Sequence, residues 1–301
     1  MLTIPPCQYA GWLSEANEVT GTPFPGPLTV HNESVTSAEG RPSASGAATS
    51  SDDARGHVVA RIVTIVVALF WGVPFFGVID LITVPIQDET FYQHYLLETG
   101  WGLLYTLLVM VPLILWAVRP RWRVFPHQVF VVAAAVLLAG LLTPAPRQVL
   151  VAFLLALSVV PSLVASRPPA PDPRLGFRGL DRTLLVLAAL AAVGAAIYAV
   201  QMIAAARAGK PDDDTWGLMH LPMQAGFGLA LAGTAATTLL ATRTHVAGWR
   251  LSTLPTAVCA VWFGVVSIVY PDHLGSVGQP AGVAVIVWGV VWSAVAFSRS
   301  P

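Results

Sequence analysis

Eight apolar runs constrain this chain more than any other feature. They lie at 61–80, 97–118, 127–142, 148–165, 183–206, 219–242, 251–270 and 280–297. A helix that crosses the hydrocarbon core of a bilayer needs roughly 17–25 mostly apolar residues, and these runs are of that order. They are apolar on every face and lack the alternation of an outer-membrane barrel strand. Charged residues make up 11% of the chain and hydrophobic ones 55%, whereas a soluble domain carries about 25% charged residues. The expected fold is therefore an all-α polytopic membrane protein with eight transmembrane helices in a lipid bilayer. The short third run is separated from the fourth only by TPAPRQ, so the two are expected to form a tight helical hairpin.

Residues 1–56 differ from the rest. They are rich in Ser, Thr, Pro and Gly and hold no sustained apolar run. No basic stretch leads into an apolar one, so this is not a standard signal peptide. The segment reads as a disordered tail. The two cysteines, Cys7 in this tail and Cys259 in an apolar run, are not expected to pair.

Arg and Lys in the loops set the orientation. One side holds Arg41, Arg55, Arg61, Arg119, Arg121, Arg123, Arg167, Arg174, Arg178, Arg182, Arg243, Arg250 and Arg299. The other holds only Arg147, Arg207 and Lys210. This bias alternates correctly through all eight runs and places both termini in the cytoplasm. The preference for Arg over Lys, with abundant Ala, Val, Gly and Pro, points to a GC-rich bacterium and hence to its inner membrane. A formal net charge of zero gives no basic surplus for nucleic acid.

The chain also contains an internal repeat. Residues 88–103 read DETFYQHYLLETGWGL and residues 214–229 read DTWGLMHLPMQAGFGL. Aligned without a gap, Asp88 matches Asp214, His94 matches His220, Glu98 matches Gln224, Gly100 matches Gly226 and Gly102 matches Gly228. Trp101 stands opposite Phe227. The two motifs are four runs apart, an even number, so the units are expected to be parallel and related by a pseudo-two-fold axis along the membrane normal. The expected organisation is a cytoplasmic tail at 1–56, a first four-helix repeat at 57–166, a cytoplasmic linker at 167–181 and a second repeat at 182–298. A smaller echo is the pair Trp122-Arg123 and Trp249-Arg250, read as interfacial anchors.

The repeat gathers most of the polar chemistry. His94 and Glu98 are four residues apart, as are His220 and Gln224, so each pair shares a helix face. With Asp88 and Asp214 just above, they form a candidate polar layer at the outer face. Two imidazoles on different helices suit a haem iron. His94, Glu98 and His220 together suit a divalent metal, and His beside Glu also suits proton relay. Against these stands a structural role. Pro222 belongs in the first turn of a helix, which would leave His220 hydrated at the helix entrance. Gly100, Gly102, Gly226 and Gly228 are expected to permit close helix packing, with Trp101 and Phe227 turned toward lipid or a cavity. Pro74 is expected to kink the first helix, and Gln201 to bond a neighbouring helix.

Three function classes follow. The first is permeation of a small solute, ion or proton gated at the His/Glu layer, toward which the parallel repeat and Pro74 lean. The second is a haem- or metal-binding redox protein using His94 and His220. The third is a structural or accessory subunit that docks a membrane partner or a second copy. Walker, H-E-x-x-H, C-x-x-C and G-x-S-x-G motifs are absent, which removes the enzymes they mark. No charge sits near the middle of any run.

Overall fold

The computed structural model describes residues 45–83, 95–165, 180–212, 214–243 and 246–299, with side chains for all of these except 45–57, 82–83 and 161–165. Contacts divide the chain at Gly46 into Met1–Gly46 and Ala47–Pro301, and the second unit holds the apolar helices. In order these are α1 (Ser45–Gly72), α2 (Gly77–Thr83), α3 (Tyr95–Tyr105), α4 (Val111–Val118), α5 (Val124–Leu142), α6 (Pro146–Ala165), α7 (Arg182–Arg207), α8 (His220–Arg243), α9 (Thr253–Val269) and α10 (Gly278–Ser298). A two-stranded ribbon, β1 (Asp214–Thr215) and β2 (Leu218–Met219), precedes α8. Every apolar run is thus helical. Five segments are long and apolar enough to cross a membrane: Tyr95–Val118, Val124–Leu142, Arg182–Arg207, His220–Arg243 and Gly278–Ser298. Val58–Gly72, Pro146–Val160 and Thr253–Val269 are shorter apolar helices.

The perimeter is greasy, as a bilayer requires. α7 exposes Val186, Leu190, Val193, Ile197 and Val200 at 56–65% of their surface. Water-facing surfaces rarely carry contiguous apolar patches of that extent. Gln201 lies exposed on this same face of α7 and is not buried against a neighbour as its polarity suggested.

α8 lies at the centre, packed on α3, α5, α7 and α9. α6 lies against α5 as α10 lies against α9, and α5 meets α8 as α9 meets α3. Trp71 Nε1 of α1 donates to Ser158 Oγ of α6 at 3.2 Å. Trp288 Nε1 of α10 donates to Leu187 O of α7 at 2.8 Å. The first and last helices of each expected repeat are therefore joined by a tryptophan.

Two helices depart from regularity. The first run does not merely kink at Pro74 but breaks: α1 stops at Gly72, Phe76 takes φ 64°, and α2 starts at Gly77. Pro74 removes a helix donor, and close approach of Tyr105 and Thr106 to Gly77 draws α2 onto α3. Between α3 and α4 the chain forms a π-helical turn, Thr106–Met110, closed by Val111 N–H donating to Thr106 O. Pro112 follows at once, and its missing N–H favours this register shift.

The two ends of the bundle differ in chemistry. At one end Trp122 packs over Gly248, Arg250 lies over Trp249 and donates to Arg299 O, and Arg299 pairs with Asp181 at 2.9 Å. The two Trp-Arg echoes thus meet there. The opposite end holds the ribbon, the α5–α6 turn and the start of α8.

Candidate functional site

The start of α8 is fixed by the ribbon before it. Asp214 pairs with Met219 and Thr215 with Leu218. Trp216 and Gly217 turn between them at φ 57° and 74°, the left-handed pair that a two-residue hairpin needs. Asp212 Oδ2 then accepts Leu221 N–H at 2.9 Å, and Pro222 sits in the first turn where no N–H is missed. His220 therefore opens α8, but it is not hydrated there: it is 1% exposed. Its ring packs on Trp101 at 5.1 Å between centroids, and Nε2 lies 3.4 Å from Thr215 Oγ1. The ribbon and α3 cover an imidazole that its sequence position alone would leave in water.

Gln224, one turn on, ties three elements together. Its Nε2 donates to Leu96 O and Leu97 O of α3, each at 2.8 Å. The Tyr198 hydroxyl of α7 bridges Gln224 Oε1 at 3.1 Å and Gly275 O at 2.9 Å, sharing one proton between them. Gly100 provides the space, since a Cβ there would overlap the Gln224 amide.

Glu98 is buried on α3, and Asp80 of α2 is buried beside it, near enough for their charges to act on each other. Asp80 Oδ2 accepts no hydrogen bond among the described residues. An aromatic group surrounds this corner. Phe75 stacks on Trp101 at 5.3 Å and Trp71 on Tyr105 at 5.6 Å, while Trp101 Nε1 donates to Phe75 O at 2.9 Å across the break in the first run. Trp101 and Phe227 are each 1% exposed. Both belong to the core and not to a lipid face, because the helices on either side leave no room for a ring outside.

The glycines divide by neighbour. Gly102 meets α2 and Gly228 meets Tyr198 of α7, equivalent neighbours in the expected repeat. Gly100 faces Gln224, whereas Gly226 faces Val136 and Ala139 of α5, so the two motifs differ in their surroundings at this position. Asp214 is exposed on the ribbon. Asp88 and His94 lie outside the described residues, and with them the meeting of two imidazoles. Among the described residues no three His, Cys, Asp or Glu side chains gather to hold a metal ion.

The apolar runs hide a further polar feature. Thr238 Oγ1 and Ser252 Oγ are 3.0 Å apart. Gln128 Nε2 donates to Ser252 O at 3.0 Å and approaches Thr238 Oγ1 at 3.3 Å, and Thr256 donates to Thr234 at 3.1 Å. All five are buried. On α8 the residues His220, Gln224, Phe227, Leu231, Thr234 and Thr238 alternate spacings of four and three, which keeps them on one face. Phe227 falls between Gln224 and Thr234 along this face and packs on Phe263 at 5.4 Å, which also meets Tyr198 at 5.4 Å. The TAATT and STLPT segments were the available signal, but a lone hydroxyl in an apolar run is unremarkable because it can bond to its own helix backbone.

No protein-family model, curated protein or solved structure matches the chain. A buried carboxyl pair can hold and exchange a proton or bind a small cation, since a lone buried charge is costly.

Proposed function

We propose that this chain is an eight-span bacterial inner-membrane protein, built of two parallel four-helix repeats with both termini cytoplasmic, that passes protons or small ions. Glu98, Asp80 and His220 form its outer polar layer. Phe227, Phe263 and Tyr198 form the closed gate, and the Gln128–Thr238–Ser252 seam lies beyond it. The observation that carries this reading is the burial of Asp80 and Glu98 close enough for their charges to act on each other, because ionisable groups kept within a membrane protein are expensive and functional by default. The matched helix pairings and tryptophan ties support the repeat. A haem or metal centre on His94 and His220 draws no support from His220, whose ring is already packed against Trp101 and Thr215.

The test is proton flux into proteoliposomes with an entrapped pH dye under an imposed potential. Glu98→Gln and Asp80→Asn are expected to cut flux at least about 10-fold, the scale of one lost charged contact, at unchanged melting temperature. Phe227→Ala is expected to raise it. No flux above empty liposomes in either wild type or Phe227→Ala would sink the permeation reading and leave an accessory subunit.

A further inference from the structure

A cavity of about 330 Å³ opens beside the start of α8, bounded by the α5–α6 turn, the end of α7 and the ribbon. Its lining includes Arg147 and Lys210. The sequence places only three cations at this end of the bundle, and the third, Arg207, donates through Nε to Leu142 O at 2.8 Å and caps α5. The other two therefore converge on one hollow. Among the described residues neither the Arg147 nor the Lys210 side chain makes an ion pair or a hydrogen bond. Asp212 also lines the cavity, with Oδ2 committed to Leu221 N–H, so the lining stays net positive.

The walls are built rather than incidental. Gly209, at φ 64°, turns the chain after α7 so that Lys210 N–H donates back to Ala205 O at 3.1 Å. The Arg147 guanidinium lies over Gly217 of the ribbon turn, where any Cβ would displace it. Gln148 is 2% exposed and donates to Val136 O and Pro222 O, both at 3.0 Å, which locks the first turn of α6 to α8. That first turn presents a helix N-terminus to the cavity and adds positive potential.

We propose that this cavity binds a phosphate group through Arg147 and Lys210. A planar guanidinium fork, an ammonium and a helix N-terminus suit a tetrahedral oxyanion with several acceptor oxygens. The group has two sources. It is either the headgroup of an anionic phospholipid, at the interfacial depth this end occupies in the membrane reading above, or a soluble phosphate. The apolar remainder of the lining, Ala145, Leu218 and Leu221, suits the lipid.

The experiment is thermal unfolding of the full chain in a neutral detergent at constant ionic strength. Inorganic phosphate and phosphatidylglycerol are titrated separately, in wild type, Arg147→Gln and Lys210→Gln, with Arg243→Gln as a control at the other end. The expected result is a saturable rise in melting temperature in wild type and in the control. Half-saturation should move about 10-fold higher in each cavity variant, as loss of one charge-assisted contact implies. A rise with phosphatidylglycerol alone assigns the lipid source, and a rise with inorganic phosphate assigns the soluble one. The proposal is overturned by no rise with either probe, or by equal half-saturation in wild type and both variants. No flux is read here, so failure of the permeation reading leaves this result standing.

Discussion

Gln224 shows how much one side chain does in this bundle. An amide buried among apolar helices must satisfy its donors and acceptor, and here its side chain bonds to other elements, at Leu96, Leu97 and Tyr198. Interhelical bonds of this kind average about 0.6 kcal/mol each in membrane proteins, so Gln224→Ala is expected to cost about 2 kcal/mol with three bonds lost. Gly100→Ala should cost a similar amount by a different route. Its new methyl overlaps the amide, and although that amide ends a flexible side chain, its bonds hold it in place. The two changes then remove the same interaction. In a double-mutant cycle read by thermal or denaturant unfolding in detergent, Gly100→Ala should be nearly neutral in the Gln224→Ala background. Additive costs would show that Gly100 matters for something other than this amide. The sequence singled out both residues through the repeat, but it could not say that Gln224 reaches α3, because a period places a residue on a face without naming the neighbour.

At the scale of elements, apolar length and proline position made the helices legible. Runs of about 20 apolar residues have one low-cost conformation in lipid, and the observed helices lie on the expected runs. Local departures were less legible. Pro74 predicts a bend anywhere along a scale that ends in a full break, and only the packing of Gly77 on Tyr105 and Thr106 selects the break. The ribbon before α8 was not expected, since DTWGLM carries just two residues per strand. Its stability rests on the turn. Gly217 at φ 74° has no side chain to clash with its own carbonyl, whereas an L-residue there costs about 1–2 kcal/mol. Gly217→Ala should lose at least about that much stability and also dislodge the Arg147 guanidinium. Its melting temperature should fall, and its phosphate response should weaken toward that of Arg147→Gln. An unchanged melting temperature would mean that the turn contributes nothing to the fold.

At the scale of the whole molecule, the two ends carry the argument. One end collects Arg250, Arg299 and Asp181 with the two Trp-Arg echoes, and the other collects the ribbon and the cavity. Between them α7 and α10 show lipid-compatible surfaces over most of their length. In the proposed reading, the excess of Arg puts the first end in the cytoplasm. This makes a labelling prediction in a Cys7→Ser background, where the remaining Cys259 is 0% exposed and unreactive to a bulky reagent. Between position 121 and position 210 the chain passes through α5, α6 and α7, three crossings in the eight-span reading. Between 210 and 247 it passes through α8 alone. Positions 121, 210 and 247 are all exposed. A membrane-impermeant maleimide applied to intact cells should therefore label Lys210→Cys, and should reach Arg121→Cys and Ala247→Cys only after permeabilisation. The reverse pattern would keep the span count but invert the protein, moving the carboxyl pair and the phosphate cavity to the cytoplasmic face. Labelling of 121 and 210 from one side would mean an even number of crossings between them. One of the helices α5, α6 and α7 would then not span, and the parallel four-helix repeat would fall with it.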